Sequence, residues 1–187
     1  MRLRILALFI LAAAGGCGPG SPGASAREPD EYLGCATDES WRSFDDRELT
    51  GLITLDDAQA PSFAVPTEGA TLPSAVKPTL SWQLSSTVVG KSGGDAACTA
   101  CPTCGSLVPE HQPPVTGNVY DLQFSIDGVM VWRALTTLQT WSPTDAAWKL
   151  MIGKTVKLRP TRMQLKINDI QSGPFQPTKS ITFSVGS

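Results

Sequence analysis

The chain has one histidine, His111, in 187 residues. Any Ser-His-Asp or Cys-His catalytic arrangement would have to use that single imidazole. No Gly-x-Ser-x-Gly elbow, phosphate-cradling glycine loop or His-Glu-x-x-His pair occurs anywhere. Positive charge is not in excess either. With 15 Lys/Arg against 17 Asp/Glu, the net charge is −2, which excludes the broad electrostatic footprint of a nucleic-acid binder. Strong helix formers dominate no stretch after residue 16. The expectation is a protein that is not an enzyme and is built mainly of strands.

The charge that is present is uneven. Residues 17–75 hold eleven acidic side chains and three arginines, whereas residues 76–187 hold six acidic and ten basic ones. Seventeen glycines and fifteen prolines are scattered as punctuation, which suits many short strands joined by turns.

The chain begins MRLRILALFILAAAGGCGPG. Arg2 and Arg4 form a positive head, Ile5 to Leu11 a short apolar core, and small residues lead to Cys17. That order marks an export signal, too short to span a bilayer as a retained helix. The last four residues, Ala14-Gly15-Gly16-Cys17, resemble the lipobox of bacterial lipoproteins, with alanine where the family usually has leucine. The resemblance implies cleavage after residue 16 and lipidation of Cys17. Each buried methylene of an acyl chain there would contribute about 0.8 kcal/mol of membrane anchoring. Gly18 rather than aspartate follows the cysteine, which by the same resemblance points to the outer membrane. Residues 17–34, rich in Gly, Pro and Ser, read as a flexible tether. Residues 35–60 read as an acidic lead-in too small to fold alone, packed on a main domain through Trp41, Phe44, Leu49, Leu52, Ile53 and Leu55.

From residue 61 the pattern is β. In NVYDLQFSIDG, Tyr120, Leu122, Phe124 and Ile126 alternate with Asp121, Gln123, Ser125 and Asp127, the signature of a strand with one face buried and one in water. Asp127-Gly128 suits a type I′ hairpin turn. The segments PTLSWQLS, VMVWRAL, TVKLRP, RMQLKIN and SITFSV supply further strands. Trp82, Val156, Leu158, Met163, Leu165, Ile167, Ile181, Phe183 and Val185 are expected inward. Lys154, Lys157, Arg159, Arg162 and Lys166 are expected outward as a basic stripe. Trp132 is left open between exposure and burial on the opposite face. SPTDAAWKLMIG predicts a short helix over 143–151, capped by Ser142 at its start and Gly153 at its end.

The fold expected is an all-β, antiparallel sandwich over residues 61–187 with one short inserted helix and a long cysteine-containing loop. The run from PTLSW to the Gly-rich approach to SITFSV resembles fibronectin type III and related immunoglobulin-like modules. In those modules a tryptophan on the second strand fills the core. Signal, tether and sandwich together resemble surface lipoproteins of Gram-negative bacteria that carry no established activity.

The loop between residues 85 and 116 carries CTACPTCGSLVPEH. In an oxidising compartment, Cys35, Cys98, Cys101 and Cys104 make an even set of disulfide candidates with three possible pairings. A bond from Cys35 to a loop cysteine would close more than sixty residues, worth about 4 kcal/mol by chain entropy. The alternative is a metal site, with Cys98, Cys101, Cys104 and His111 as soft ligands for zinc or copper. A thioredoxin-like role for CPTC is disfavoured by Pro102 and Gly105, and Gly105 in place of histidine excludes haem attachment. The acidic pairs Asp45/Asp46 and Asp56/Asp57 read as solvated charge. The partners expected are the membrane through Cys17, an envelope protein or a polysaccharide.

Overall fold

The computed structural model describes residues 27–84 and 114–187. Cys17, the loop cysteines Cys98, Cys101 and Cys104, and His111 lie outside them.

The described chain is mostly β. Its spine is β9 (Thr155–Lys166), a twelve-residue strand paired antiparallel along its length with β6 (Gly117–Ile126). On the far side of β6 come β7 (Val129–Thr136) and then β1 (Glu31–Leu33). The other edge of β9 is shared. Residues 155–158 pair with β11 (Ile181–Val185), which carries β4 (Thr71–Leu72), while residues 162–166 pair with β10 (Asp169–Gln176), which carries β2 (Thr54–Leu55). Pro160 sits in the gap between those two partners. A residue without an N–H costs least where the ladder is interrupted. The segments TVKLRP and RMQLKIN are thus one strand rather than two. A second, three-stranded sheet has the order β3 (Ser62–Val65), β5 (Leu80–Gln83) and β8 (Thr140–Trp141).

The two sheets enclose the larger core. Leu80, Trp82 and Trp141 from the small sheet meet Tyr120, Leu122, Phe124, Val156, Leu158 and Phe183 from the large one. The ring of Trp82 meets Tyr120 edge-on at 5.4 Å. The β5–β8 end is closed by α2 (Asp145–Met151), whose Ala147, Trp148 and Met151 enter the same core. Its cap is Thr144, not Ser142, because the Thr144 hydroxyl accepts from the Ala147 N–H at 3.2 Å. Gly153 follows with φ +72 and donates its N–H to Val185 and Gly186.

Several expectations are corrected. The described chain is mostly β, as expected, but it has two helices rather than one: the acidic lead-in forms α1 (Asp38–Leu49). A capping box starts it, with Thr37 Oγ1 accepting from the Ser40 N–H at 3.3 Å and Ser40 Oγ accepting from the Thr37 N–H at 2.9 Å. Asp38 and Glu39 in the first turn suit the helix dipole. Nor is the pairing wholly antiparallel, since β1, β2 and β4 run parallel to β7, β10 and β11. The stretch expected as a tether to residue 34 gives up its last residues to β1. Ile167 is not inward: it and Asn168 occupy the β9–β10 turn with φ +56 and +64, and Ile167 is 62% exposed.

The largest correction concerns the outer face of the large sheet, expected in water. It is the seat of a second core, in which Trp41 and Phe44 of α1, with Ala36 and Val115, cover Val119, Leu135, Met163 and Leu165. Asp121 and Gln123 lie under this cover and are buried. The molecule therefore has three layers: small sheet, large sheet and helix.

Candidate binding site

Two arginines are almost wholly buried, and they differ in what surrounds them. Arg133 lies on the helix side of the large sheet with none of its side chain exposed. Its Nε donates to Asp121 Oδ1 at 2.8 Å and its Nη2 donates to Asp121 Oδ2 at 2.9 Å and to Glu48 Oε2 at 2.7 Å. Nη1 donates to the Arg27 carbonyl at 2.9 Å. Gln123 Nε2 bridges Asp121 and Glu48. The Trp41 ring lies 4.2 Å from the guanidinium carbon, a cation–π contact. Burial pushes the Asp121 carboxyl up, while the Arg133 charge and hydrogen bonds pull it down. Every Arg133 nitrogen is satisfied, so this cluster ties α1, the entering chain and the sheet together.

Arg162 lies on the opposite face of the same sheet, facing the sandwich, and is 2% exposed. The basic stripe expected outward is thus broken at its fourth member. Nε and Nη1 of Arg162 are buried with no hydrogen-bond partner. Nη2 reaches Ser172 Oγ at 3.5 Å, the outer limit of a hydrogen bond. Among the described residues no carboxylate forms an ion pair with it. Burial pulls its pKa below the ordinary arginine value, and Tyr120 and Asp56 offset this only in part. The Phe175 ring lies 5.2 Å from its guanidinium carbon.

The strand register builds the surroundings. Arg162 stands opposite Tyr120 and Phe175, and Gln164 stands opposite Asn118 and Ser172. Asn118, Gln164 and Ser172 are half-buried, and Arg162 beside them on the ladder is buried more deeply. Ser172 Oγ donates to Gln164 Oε1 at 3.2 Å. Asn118 Oδ1 is buried and receives no donor. The arrangement therefore combines unused cationic N–H donors with an unused neutral acceptor two residues away along the ladder.

Other grooves among the described residues lie elsewhere. One, of about 270 Å³, is walled by Glu28, Tyr32, Asp38, Trp41, Arg42 and Asp45. Burial and a hydrogen bond to Asp38 raise the Tyr32 phenol above its ordinary value. The other, of about 350 Å³, runs between Phe63 and Pro66 on one side and Lys179 and Ile181 on the other.

Of the sequence-predicted site residues, only Cys35 falls within the described chain. It follows Gly34, whose φ of +67 and 2.3 Å approach of an added Cβ to Thr137 Oγ1 admit only glycine. The Cys35 N–H donates to that same Thr137 hydroxyl at 3.0 Å. Asp57, expected as solvated charge, accepts from the Thr178 N–H and hydroxyl, both at 2.8 Å. Asp56 accepts from the Ala58 N–H in a tight turn. Among the described residues no group of His, Cys, Asp and Glu is arranged to hold a metal ion. No described helix is long and apolar enough to cross a membrane.

Sequence reasoning missed Arg133, Asp121, Glu48, Arg162 and Asn118. A signal existed for the first pair: an arginine inside the apolar run VMVWRAL, facing a strand that carries one aspartate among apolar neighbours. For Arg162 the run LRPTRMQL gives no such signal.

The fold and site together define a β-sandwich with a helix-covered outer face and a buried arginine two of whose nitrogens have no hydrogen-bond partner. No protein-family model, curated protein or solved structure matches the chain.

Proposed function

We propose that this chain is an exported lipoprotein, lipidated at Cys17 and held at the outer membrane. Its sandwich would serve there as a non-enzymatic binding module of the cell envelope. The start of the sequence supports the address: a positive head, an apolar core and small residues in the right order before Cys17. An immunoglobulin-like ancestry related to fibronectin type III is favoured by Trp82 in the inter-sheet core and by the final strand ITFSV, which buries Phe183 and Val185. A covalent tie from Cys35 to a loop cysteine belongs to the same reading, because export places Cys35, Cys98, Cys101 and Cys104, an even set, in an oxidising compartment.

The single observation that favours binding over a purely structural role is Arg162. A buried guanidinium with two bare nitrogens costs stability, and Tyr120, Asp56 and the Phe175 ring offset it only in part. Replacing it with an apolar residue of similar length tests this directly. Arg162→Met is expected to raise the melting temperature, because burial of a methionine carries no uncompensated charge. A lowered melting temperature would show that Arg162 holds the fold together, and the binding reading would fall. The address is tested by fractionating cells that express Cys17→Ser. Release from the membrane fraction is expected, and unchanged membrane association would refute the anchor.

A further inference from the structure

We propose that Arg162 forms the floor of a binding site for a hydroxy-carboxylate, the chemistry carried by a sugar acid. The inference rests on the sandwich being a binding module.

The argument starts from the guanidinium. Its planar edges offer N–H donors in a fixed fork that matches the two oxygens of a carboxylate. Nε and Nη1 have no acceptor, so each edge of the fork has a bare donor. Nη2 has only the long contact to Ser172, whose hydroxyl already donates to Gln164. Ser172 therefore gives up little when a stronger acceptor arrives. The Phe175 ring lies close to the guanidinium, and the polar neighbours along the ladder are Asn118, Gln164 and Ser172, all of them half-buried.

Asn118 supplies the second half. Its buried Oδ1 lacks a donor, and a carboxylate has none to give. On the β6–β9 ladder Asn118 is diagonal to Arg162, a cross-strand separation of about 7–8 Å. A hydroxyl on a carbon near the carboxylate spans that gap and satisfies the amide oxygen. One ligand with both groups satisfies the orphaned atoms of both residues.

The same geometry disfavours a phosphate or sulfate. Among the described residues no second cation stands at the site, and a fully ionised tetrahedral anion would face the Asn118 and Gln164 amide oxygens. A monoanion bearing a hydroxyl suits one guanidinium and one bare acceptor.

The test is isothermal titration of the detergent-solubilised full chain with D-glucuronate, DL-lactate, acetate, D-glucose and inorganic phosphate. Glucuronate is expected to bind and glucose is not. Arg162→Lys keeps the positive charge but loses the fork, and is expected to weaken glucuronate binding at least about tenfold. Asn118→Ala is expected to weaken glucuronate binding while leaving any acetate binding unchanged. Lactate equal to glucuronate supports the same site with a free hydroxy acid as its source. Phosphate binding as tightly as glucuronate, or Arg162→Lys binding as well as the parent, would overturn the proposal. If no carboxylate binds while Arg162→Met still raises the melting temperature, this ligand class falls and the binding reading stands. If Arg162→Met lowers the melting temperature, both fall.

Discussion

Asp121 and Arg133 meet on neighbouring strands through two hydrogen bonds, Nε to Oδ1 at 2.8 Å and Nη2 to Oδ2 at 2.9 Å. Neither side chain is more than 1% exposed. Removing Asp121 takes the buried partner from Arg133 and leaves it only the partly exposed Glu48 carboxylate and the Arg27 carbonyl. Asp121→Ala is expected to cost about 3–5 kcal/mol, whereas a double replacement, Asp121→Leu with Arg133→Met, recovers most of the loss. Urea unfolding of the three proteins checks this. A double variant no more stable than the single one would mean that the pair is not the source of the cost.

The helix layer rests on Trp41 and Phe44. Trp41→Ala removes a buried indole that stacks on Phe44 at 5.5 Å and covers Arg133. A loss of about 3–5 kcal/mol is expected. Thr37→Ala, which removes only the cap, should cost about 1 kcal/mol. Denaturant midpoints that rank the two variants in the reverse order would contradict a layer held by burial rather than by its cap.

Ile167 holds φ +56 with its side chain mostly in water. A β-branched residue in the left-handed region is strained by about 1–3 kcal/mol. Ile167→Gly removes the strain and sacrifices little burial. It should stabilise the protein by about 1 kcal/mol, the gain being trimmed by the glycine's extra freedom in the unfolded chain. Thermal unfolding measures it, and a drop in stability would show that the backbone at Ile167 is not strained.

Asp57 predicts a pH effect. Its two hydrogen bonds from Thr178 hold the carboxyl below the usual carboxylate range. The folded state therefore binds this proton less readily than the unfolded chain does. Its stabilisation is fully present above the ordinary aspartate value, near about 3.9, and is lost as pH falls through the lowered folded value. The melting temperatures of the parent and Asp57→Asn should differ at pH 6 and converge as pH drops below about 3. A constant difference would remove Asp57 from the account.

The hairpin between β6 and β7 shows how far the sequence reaches. Its turn was legible, because Asp127 and Gly128 both take positive φ. The strands were legible too, from their alternation. The register was not. Ser125 pairs with Met130, but Phe124 pairs with Trp132, so an irregularity at Val131 slips β7 by one residue. A regular hairpin would set Arg133 opposite Leu122, facing the sandwich. The slip sets it opposite Gln123, facing α1. The charge network and the placement of Trp132 beside Phe124 both hang on that one residue. The three parallel pairings escaped notice for another reason. Strands of two or three residues have no period to read, and their partners are distant in sequence. Arg162 was hidden by parity in a different way: its strand reads as alternating, yet both of its faces are covered.

The spine strand β9 forks at Pro160, and the fork shapes the outline of the sheets. In place of one long free margin, that side of the large sheet ends in two stubs, β2 and β4, of two residues each. The opposite margin is the three-residue β1, and the small sheet ends in β8, of two residues, and β3, whose four residues lie between Pro61 and Pro66. None of these margins is long enough to template a stranger's strand. Copies of the chain crowded together would meet edge to edge at high local density. The described fold offers them no seam along which to zip together.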